Sequence, residues 1–296
     1  MKKKFFALAV TLAISSLAQA DTLAKVKASG SVTMGVRDSS GALSYTLGDG
    51  KYTGYHVEIC QAILADLEKA VGKKNDIKYQ SVTSQNRIPL VQNGTVDIEC
   101  GSTTNNATRQ KDVSFAHTTF VEEVRIAVKA NSGITSIAQL NGKSVATTTG
   151  TTSVQTLRKN ERATGVDFKE VFGKDHSESF LLLESGRADA FVMDGSILAG
   201  NIATAKNPAD FKIVGEVLSV EPIAIMMRKD DPAFKKLADE TIAGLAKSGA
   251  LAKLYDKWFM QPIPPKNTRV GLAASDGIKA AWATPNDKPM EDYAKR

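Results

Sequence analysis

Apolar residues along the chain come alternately in short runs of strand period and in longer helical stripes. "SVTMGV" (31–36) reads as a strand and "SYTLGDGKYTGY" as a hairpin turning at Gly48-Asp49-Gly50. Between His56 and Val71, Cys60, Ile63, Leu64, Leu67 and Val71 fall on one stripe, which predicts an amphipathic helix. The strand "DIKYQSVT" (76–83) follows. Ser84 is then placed as the N-cap of a short helix, "SQNRIPLVQ", stopped at Asn93-Gly94.

Two later stretches share one order. In "VQNGTVDIECGS" and "LLESGRADAFVMDGS" a helix ends at a glycine, Gly94 or Gly186. An aspartate comes three residues on, Asp97 or Asp189, then an apolar strand, then a polar segment. The repetition predicts two similar α/β lobes. In open α/β sheets ligands collect beyond the carboxyl ends of strands, where these polar segments lie. Two runs, "VEEVRIAVKA" (121–130) and "EPIAIMMRKDDP" (221–232), are placed as the crossings between lobes. Between them, "KSVATTTGTTSVQTLRKN" reads as strand, turn and helix. The expected organisation is a leader at 1–20, lobe 1 at 21–124, lobe 2 at 125–221, and a return to lobe 1 at 222–296. That return carries helical material through "LYDKWF", and "QPIPPKN" opens a tail expected to lie on the surface.

The N-terminus, "MKKKFFALAVTLAISSLAQAD", has three lysines, an apolar stretch from Phe5 to Ile14, and small residues at Ala18 and Ala20. This is the pattern of a secretory signal peptide cleaved before Asp21. The apolar stretch is shorter than the ~20 residues a spanning helix needs, so a periplasmic protein is expected. Without residues 1–20 the chain keeps 35 basic against 32 acidic residues, a formal charge of +3. So mild an excess, with no clustered basic face, argues against nucleic acid. Two cysteines exclude a disulfide-dense scaffold and an all-cysteine zinc site. Export permits a Cys60–Cys100 bridge; the apolar stripe suits a buried free thiol at Cys60 equally well. The three histidines, His56, His117 and His176, form no H-E-x-x-H, and no metal or cofactor is expected.

Candidate chemistry gathers at the polar segments. In "CGSTTNNATRQKDVSF", Arg109 follows Ser102, Thr103 and Thr104 and could clamp a carboxylate bidentately; the alternative is a solvated surface arginine. Arg87, in the first turns of its helix, opposes the helix dipole and asks for an anion or a neighbour to pair it. Arg37 stands just past the first strand. "TTTGTTS" could cradle an anion on backbone N–H groups, or Thr148 and Thr151 could be plain helix caps. It lacks the lysine of a phosphate-binding loop and the spacing of a dinucleotide fingerprint. Asp194 has two readings, an ammonium receptor or a cap for the helix after it. His176 is either a donor to a carboxylate or an exposed loop residue.

The order of "GYHVEICQAI", "SQNRIPLVQNGTVDIECGSTTNNATRQKDVSF", "TTGTTS", "DHSESFLLLESGRADAFVMD" and "KWFMQPIPPKN" resembles the periplasmic polar amino-acid-binding proteins of ABC importers, solute-binding protein family 3. Within them it is most similar to the glutamate/aspartate-binding subgroup, over nearly the whole mature chain. The resemblance implies the type II periplasmic binding protein fold, two α/β lobes closing on a ligand about two crossing strands. It implies a monomer that binds L-glutamate or L-aspartate and hands it to a membrane permease. It places Arg109, helped by Thr104, Thr148 and Thr151, on the α-carboxylate, and Asp194 with Ser102 on the α-ammonium. Arg37, Ser84, Arg87 and His176 are placed on the side-chain carboxylate. Independently, three candidate arginines against one aspartate suit a dicarboxylic ligand, since a surplus buried cation is costly.

The chain departs from the family at His56, expected to concern helix packing or the lobe surface, and at Leu43, expected near the pocket's apolar wall. The rival class is an exported enzyme on the same fold, resembling cyclohexadienyl dehydratases. It would need a positioned acid or base, for which only His176 and Asp194 are candidates. A sensory ligand-binding domain is disfavoured, because the sequence offers no further domain or anchor.

Overall fold

In a computed structural model that describes residues 21–293, the two aspartates of the repeated pattern sit in the same way; the leader read at 1–20 lies outside the described residues. Asp97 accepts from the Thr33 N–H at 2.9 Å while its own N–H donates to the Thr33 carbonyl. Asp189 forms the same pair of bonds with Ser144. Each aspartate fastens the entry of one strand to the strand beside it, and one sheet grows around each.

The chain begins with α1 (Thr22–Ser29) and β1 (Ser31–Val36), then a small antiparallel sheet of β2 (Ser39–Ser40), β3 (Ser44–Gly48) and β4 (Lys51–Thr53). Next come α2 (Tyr55–Val71), β5 (Asp76–Ser81), α3 (Arg87–Gln92), β6 (Ile98–Glu99) and β7 (Val113–Phe115). The long β8 (Phe120–Lys129) leads to β9 (Ser144–Thr148), α4 (Thr152–Thr164), β10 (Lys169–Gly173), α5 (His176–Glu184), β11 (Ala190–Asp194) and α6 (Gly195–Thr204). The still longer β12 (Phe211–Ile223) returns to β13 (Met226–Arg228), α7 (Pro232–Lys247), α8 (Ala250–Tyr255), α9 (Asp276–Ala283) and α10 (Met290–Tyr293). One sheet has the order β5-β1-β6-β13-β7, the other β10-β9-β11-β8-β12. This is the two-lobed α/β architecture of the type II periplasmic binding proteins. Among the described residues no helix is long and apolar enough to cross a membrane.

β8 and β12 pair antiparallel from Phe120↔Ile223 through Glu122↔Glu221 to Lys129↔Phe211. Phe120, Val121 and Ile223 belong to the first-lobe core, and Val124, Ile126 and Val128 to the second. The pair therefore passes from one core to the other. In the first lobe Cys60, Ile63, Leu64 and Leu67 of the predicted stripe are buried, with Ile59 beside them and Val71 half-buried, and pack with Phe234, Ala238 and Ile242 of α7. Each such fully buried aliphatic side chain contributes about 1.5–3 kcal/mol.

Three local expectations are corrected. Ser84 caps nothing: Thr83 and Asn86 bond to each other's backbone N–H, at 2.8 and 3.2 Å, and the helix starts at Arg87. The strand expected across "VDIEC" is only Ile98–Glu99. The tail is anchored rather than merely laid on the surface. Ile278 and Ala281 are buried in the first-lobe core, and the Trp282 Nε1–H donates to the Thr119 carbonyl at 2.9 Å. Farther on, the Asn105 amide donates to the Asp287 carbonyl, and the Met290 N–H donates to the Asn105 carbonyl at 2.8 Å. The tail thereby braces the polar run that holds Arg109.

Cys60 and Cys100 are joined in a disulfide across 40 residues of sequence, which decides between the two readings of the thiols. It ties α2 to the start of the polar run. Reduction should therefore destabilise the first lobe by about 2–4 kcal/mol. Urea unfolding with and without reductant checks this, and coincident curves would show that the bridge contributes nothing.

Candidate ligand-binding cleft

Three strand ends of the first lobe deliver three arginines to one place. Arg37 follows β1, and its backbone N–H donates to Ser44 Oγ at 3.0 Å. Its guanidinium donates to Ser84 Oγ at 2.8 Å and Ser102 Oγ at 3.3 Å, and contacts His176 Nε2 of the second lobe at 3.3 Å. Ser84 is free to accept because Asn86 and Thr83 cap each other instead. Arg87 opens α3 and donates to the Ser102 carbonyl at 3.1 Å, while its Nε has no hydrogen-bond partner. Arg37 and Arg87 are 1% and 2% exposed, so neither is a solvated surface arginine. Gly101 makes the crowding possible: a Cβ there would come within 2.1 Å of a Glu99 carboxylate oxygen and 2.8 Å of Arg37 Cγ.

Arg109 is partly exposed and spans the lobes. It donates to the Thr104 carbonyl at 2.8 Å and to the Gly150 carbonyl of the second lobe at 3.4 Å. Burial above all, then the charge of Arg87, lowers Arg37 to about 10 and Arg109 to about 9. Arg87 is lowered too, by burial. All three remain cations at neutral pH.

The second lobe supplies hydroxyls, an imidazole and a carboxyl group. Thr148 ends β9, and Thr151 Oγ1 donates to its carbonyl at 2.7 Å rather than capping α4. His176 opens α5. Arginine can only donate, so His176 Nε2 accepts from Arg37, and Nδ1 carries the proton and donates to Thr148 Oγ1 at 3.0 Å. Burial, then Arg37 and Arg87, holds the imidazole pKa well below its usual 6.5, and the ring is neutral. Thr148 Oγ1 continues the chain to Ser179 Oγ at 2.8 Å.

Asp194, at the end of β11, does not cap α6 with its side chain, and its Oδ1 has no hydrogen-bond partner. Glu122 of β8 does that capping, accepting from the Ser196 N–H at 3.2 Å and from its hydroxyl. Burial, then Glu122 and Glu221, raises the Asp194 carboxyl well above the usual range. Burial likewise pushes Glu122 up to about 7, against the pull of its Ser196 bonds.

All ten candidate residues thus line or support one junction between the lobes, but the charge inventory differs from the expected one. The three arginines share the region with four buried acids, Glu99, Glu122, Asp194 and Glu221, not with Asp194 alone. A signal for two of them was present in the sequence: Glu122 and Glu221 interrupt runs otherwise fit for buried strands. His56 is buried as well. Its Nδ1–H donates to the Gly101 carbonyl, and its Nε2 lies 2.8 Å from Thr119 Oγ1, so it joins the polar run to the crossing strand rather than facing the lobe surface. Leu43 is wholly buried in the first-lobe core.

The lobes lie closed on each other. Gly150, with φ +82, allows this, since a Cβ would fall 2.7 Å from Gln85 Cα across the cleft. Anion receptors thus stand mostly on one wall and a carboxyl group on the other. Such a site suits a molecule carrying both carboxylate and ammonium groups.

The family model of the bacterial extracellular solute-binding proteins, family 3, matches residues 32–261. The "Glutamate/aspartate import solute-binding protein" of Escherichia coli (strain K12) is 45% identical over 95% of this chain and 96% of its own. The "L-glutamate/L-aspartate-binding protein" of Pseudomonas aeruginosa is 44% identical over 91% and 90%. Among solved structures, an ancestral amino acid-binding protein, a precursor of cyclohexadienyl dehydratase, superposes with a TM-score of 0.68 at 28% identity, covering 81% of this chain and 99% of that one.

Burial holds the His56 imidazole down to about 4. The unfolded chain takes up a proton near 6.5 that the folded chain refuses, so this residue removes stability as the pH falls from 6.5 toward 4. Glu122, whose pKa is raised, acts with the opposite sign over about 4.5 to 7, so the His56 effect must be read as a difference. Wild type minus His56→Gln should lose up to about 3 kcal/mol over that window, at about 1.4 kcal/mol per pKa unit. Parallel denaturation curves at pH 7 and pH 4.5 would contradict it.

Proposed function

This chain belongs to the bacterial extracellular solute-binding proteins, family 3, and we propose that it captures L-glutamate or L-aspartate between its lobes for delivery to an ABC importer permease. The observation that carries the reading is the convergence of Arg37, Arg87 and Arg109 on one cleft. Arg109, with Thr104 and the turn holding Thr148 and Thr151, takes the α-carboxylate. Asp194 and Ser102 receive the α-ammonium, whose charge draws the Asp194 carboxyl toward ionisation. Arg37, Ser84, Arg87 and His176 take the side-chain carboxylate. For His176 to donate there, its proton moves to Nε2 while Thr148, which can donate or accept, turns its hydroxyl toward Nδ1.

The lobes are divided at 21–124, 125–221 and 222–296. The chain works as a monomer in the periplasm after loss of residues 1–20, without nucleic acid. The close relatives are transport proteins by name, and the enzyme alternative has less support. His176, its best base, is held between the Arg37 guanidinium and Thr148.

Titration calorimetry of refolded, ligand-stripped protein tests this reading. Arg109→Met should weaken every amino-acid ligand, because each carries the α-carboxylate. Arg87→Met should cost glutamate about 2–5 kcal/mol, as for a desolvated charge pair cut on one side. Glutamine should lose much less, narrowing the glutamate-to-glutamine preference by about tenfold or more. Equal losses for the two ligands would remove Arg87 from the side-chain pocket. Closure has its own check: small-angle scattering should give a smaller radius of gyration with glutamate than without, and identical profiles at saturation would count against a hinge at β8 and β12.

A further inference from the structure

We propose that Glu221, which lies outside the ligand set, is the latch that holds the two lobes closed. It sits on β12 where the chain returns to the first lobe, and it is 0% exposed. Its Oε2 accepts from Thr104 Oγ1 at 2.6 Å and from Thr152 Oγ1 at 2.6 Å. Thr104 belongs to the polar run of the first lobe and Thr152 opens α4 in the second. Its Oε1 accepts from Ser219 Oγ at 2.8 Å, within its own strand. One carboxylate oxygen therefore draws a hydroxyl from each lobe, and those hydroxyl oxygens lie only 3.2 Å apart.

Opening about β8 and β12 must separate Thr104 from Thr152, and a single oxygen cannot follow both. At least one of the two bonds belongs to the closed state alone. Both are charge-assisted, hence about twice as strong as a bond between neutral groups. The latch also reaches the ligand side, because Thr104 is itself placed beside the α-carboxylate and its carbonyl accepts from Arg109. Arg87 and Arg109 attract the Glu221 charge, whereas Glu122 directly opposite on β8 repels it. With three hydroxyl donors already on its oxygens, Glu221 acts on lobe position and leaves ligand choice to the arginines. This rests on the reading that an amino acid is gripped between the lobes.

The test uses Glu221→Gln, Thr152→Val and the double variant of the mature chain, titrated with glutamate and with glutamine and followed by small-angle scattering. Each single variant should weaken both ligands, by about tenfold for one lost bond to a charged group. In Thr152→Val, which leaves every charge in place, the glutamate-to-glutamine ratio should not change. The double variant should lose no more than Glu221→Gln alone, because both changes break one connection. Unchanged affinity in Thr152→Val, additive losses, or a loss confined to glutamate would each overturn the latch. If Glu221→Gln fails to fold, Thr152→Val alone decides. Should the wild type bind neither ligand, the amino-acid reading falls, and ligand-free scattering then judges the latch. A larger radius of gyration in Thr152→Val than in wild type would support it, and equal radii would end it.

Discussion

Three guanidinium groups held largely out of water in one cleft set the strictest condition on this molecule. Each must have its N–H donors met and its charge opposed, and the lobe that carries the arginines does not do this alone. Serine hydroxyls and main-chain carbonyls of the first lobe take part of the donor capacity. His176 and the Gly150 carbonyl take more from across the cleft. The charge is opposed by acids on both sheets and on the strands between them. Closing the lobes and balancing the arginines are therefore one event.

The same condition explains details that look unrelated. Gly101 has no side chain because a Glu99 oxygen and the Arg37 stem occupy the space. Gly150 has none because the backbone of Ser84 and Gln85 does. Asp194 is spared from capping its own helix because Glu122 reaches over from β8 to do so. The disulfide, His56 and the tail all fasten the run after β6. A loop that presents an arginine to both lobes would otherwise lose its geometry to conformational entropy.

Much of this was legible in residue order. The glycine-aspartate-strand repeat gave two lobes, and Arg37, Arg87 and Arg109 each follow a strand or a turn at the edge where sheets collect ligands. What stayed hidden depended on partners far away in the chain. Ser84 has the composition of a cap, and only the mutual bonding of Thr83 and Asn86, with Arg37 arriving from another strand, gives its hydroxyl a different use. Glu122 and Glu221 stand out as charges inside apolar runs, but that they face each other shows only when β8 and β12 are set side by side. The tail's prolines suggest exposure, while its anchors, Ile278, Ala281 and Trp282, are spaced along a helix too short to announce a buried face.

Strand β13 has a consequence for how such a chain assembles. It lies between β6 and β7 in the first sheet, yet it is synthesised after the whole second lobe. The second lobe is one continuous segment and can fold as soon as it emerges. The first cannot complete its sheet until the chain has gone out and come back, a loop closure of long sequence separation that slows folding. Until then β6 offers an unpaired edge and β7 has no neighbour in the sheet. A nascent chain of this topology thus stays incompletely folded until late in its synthesis.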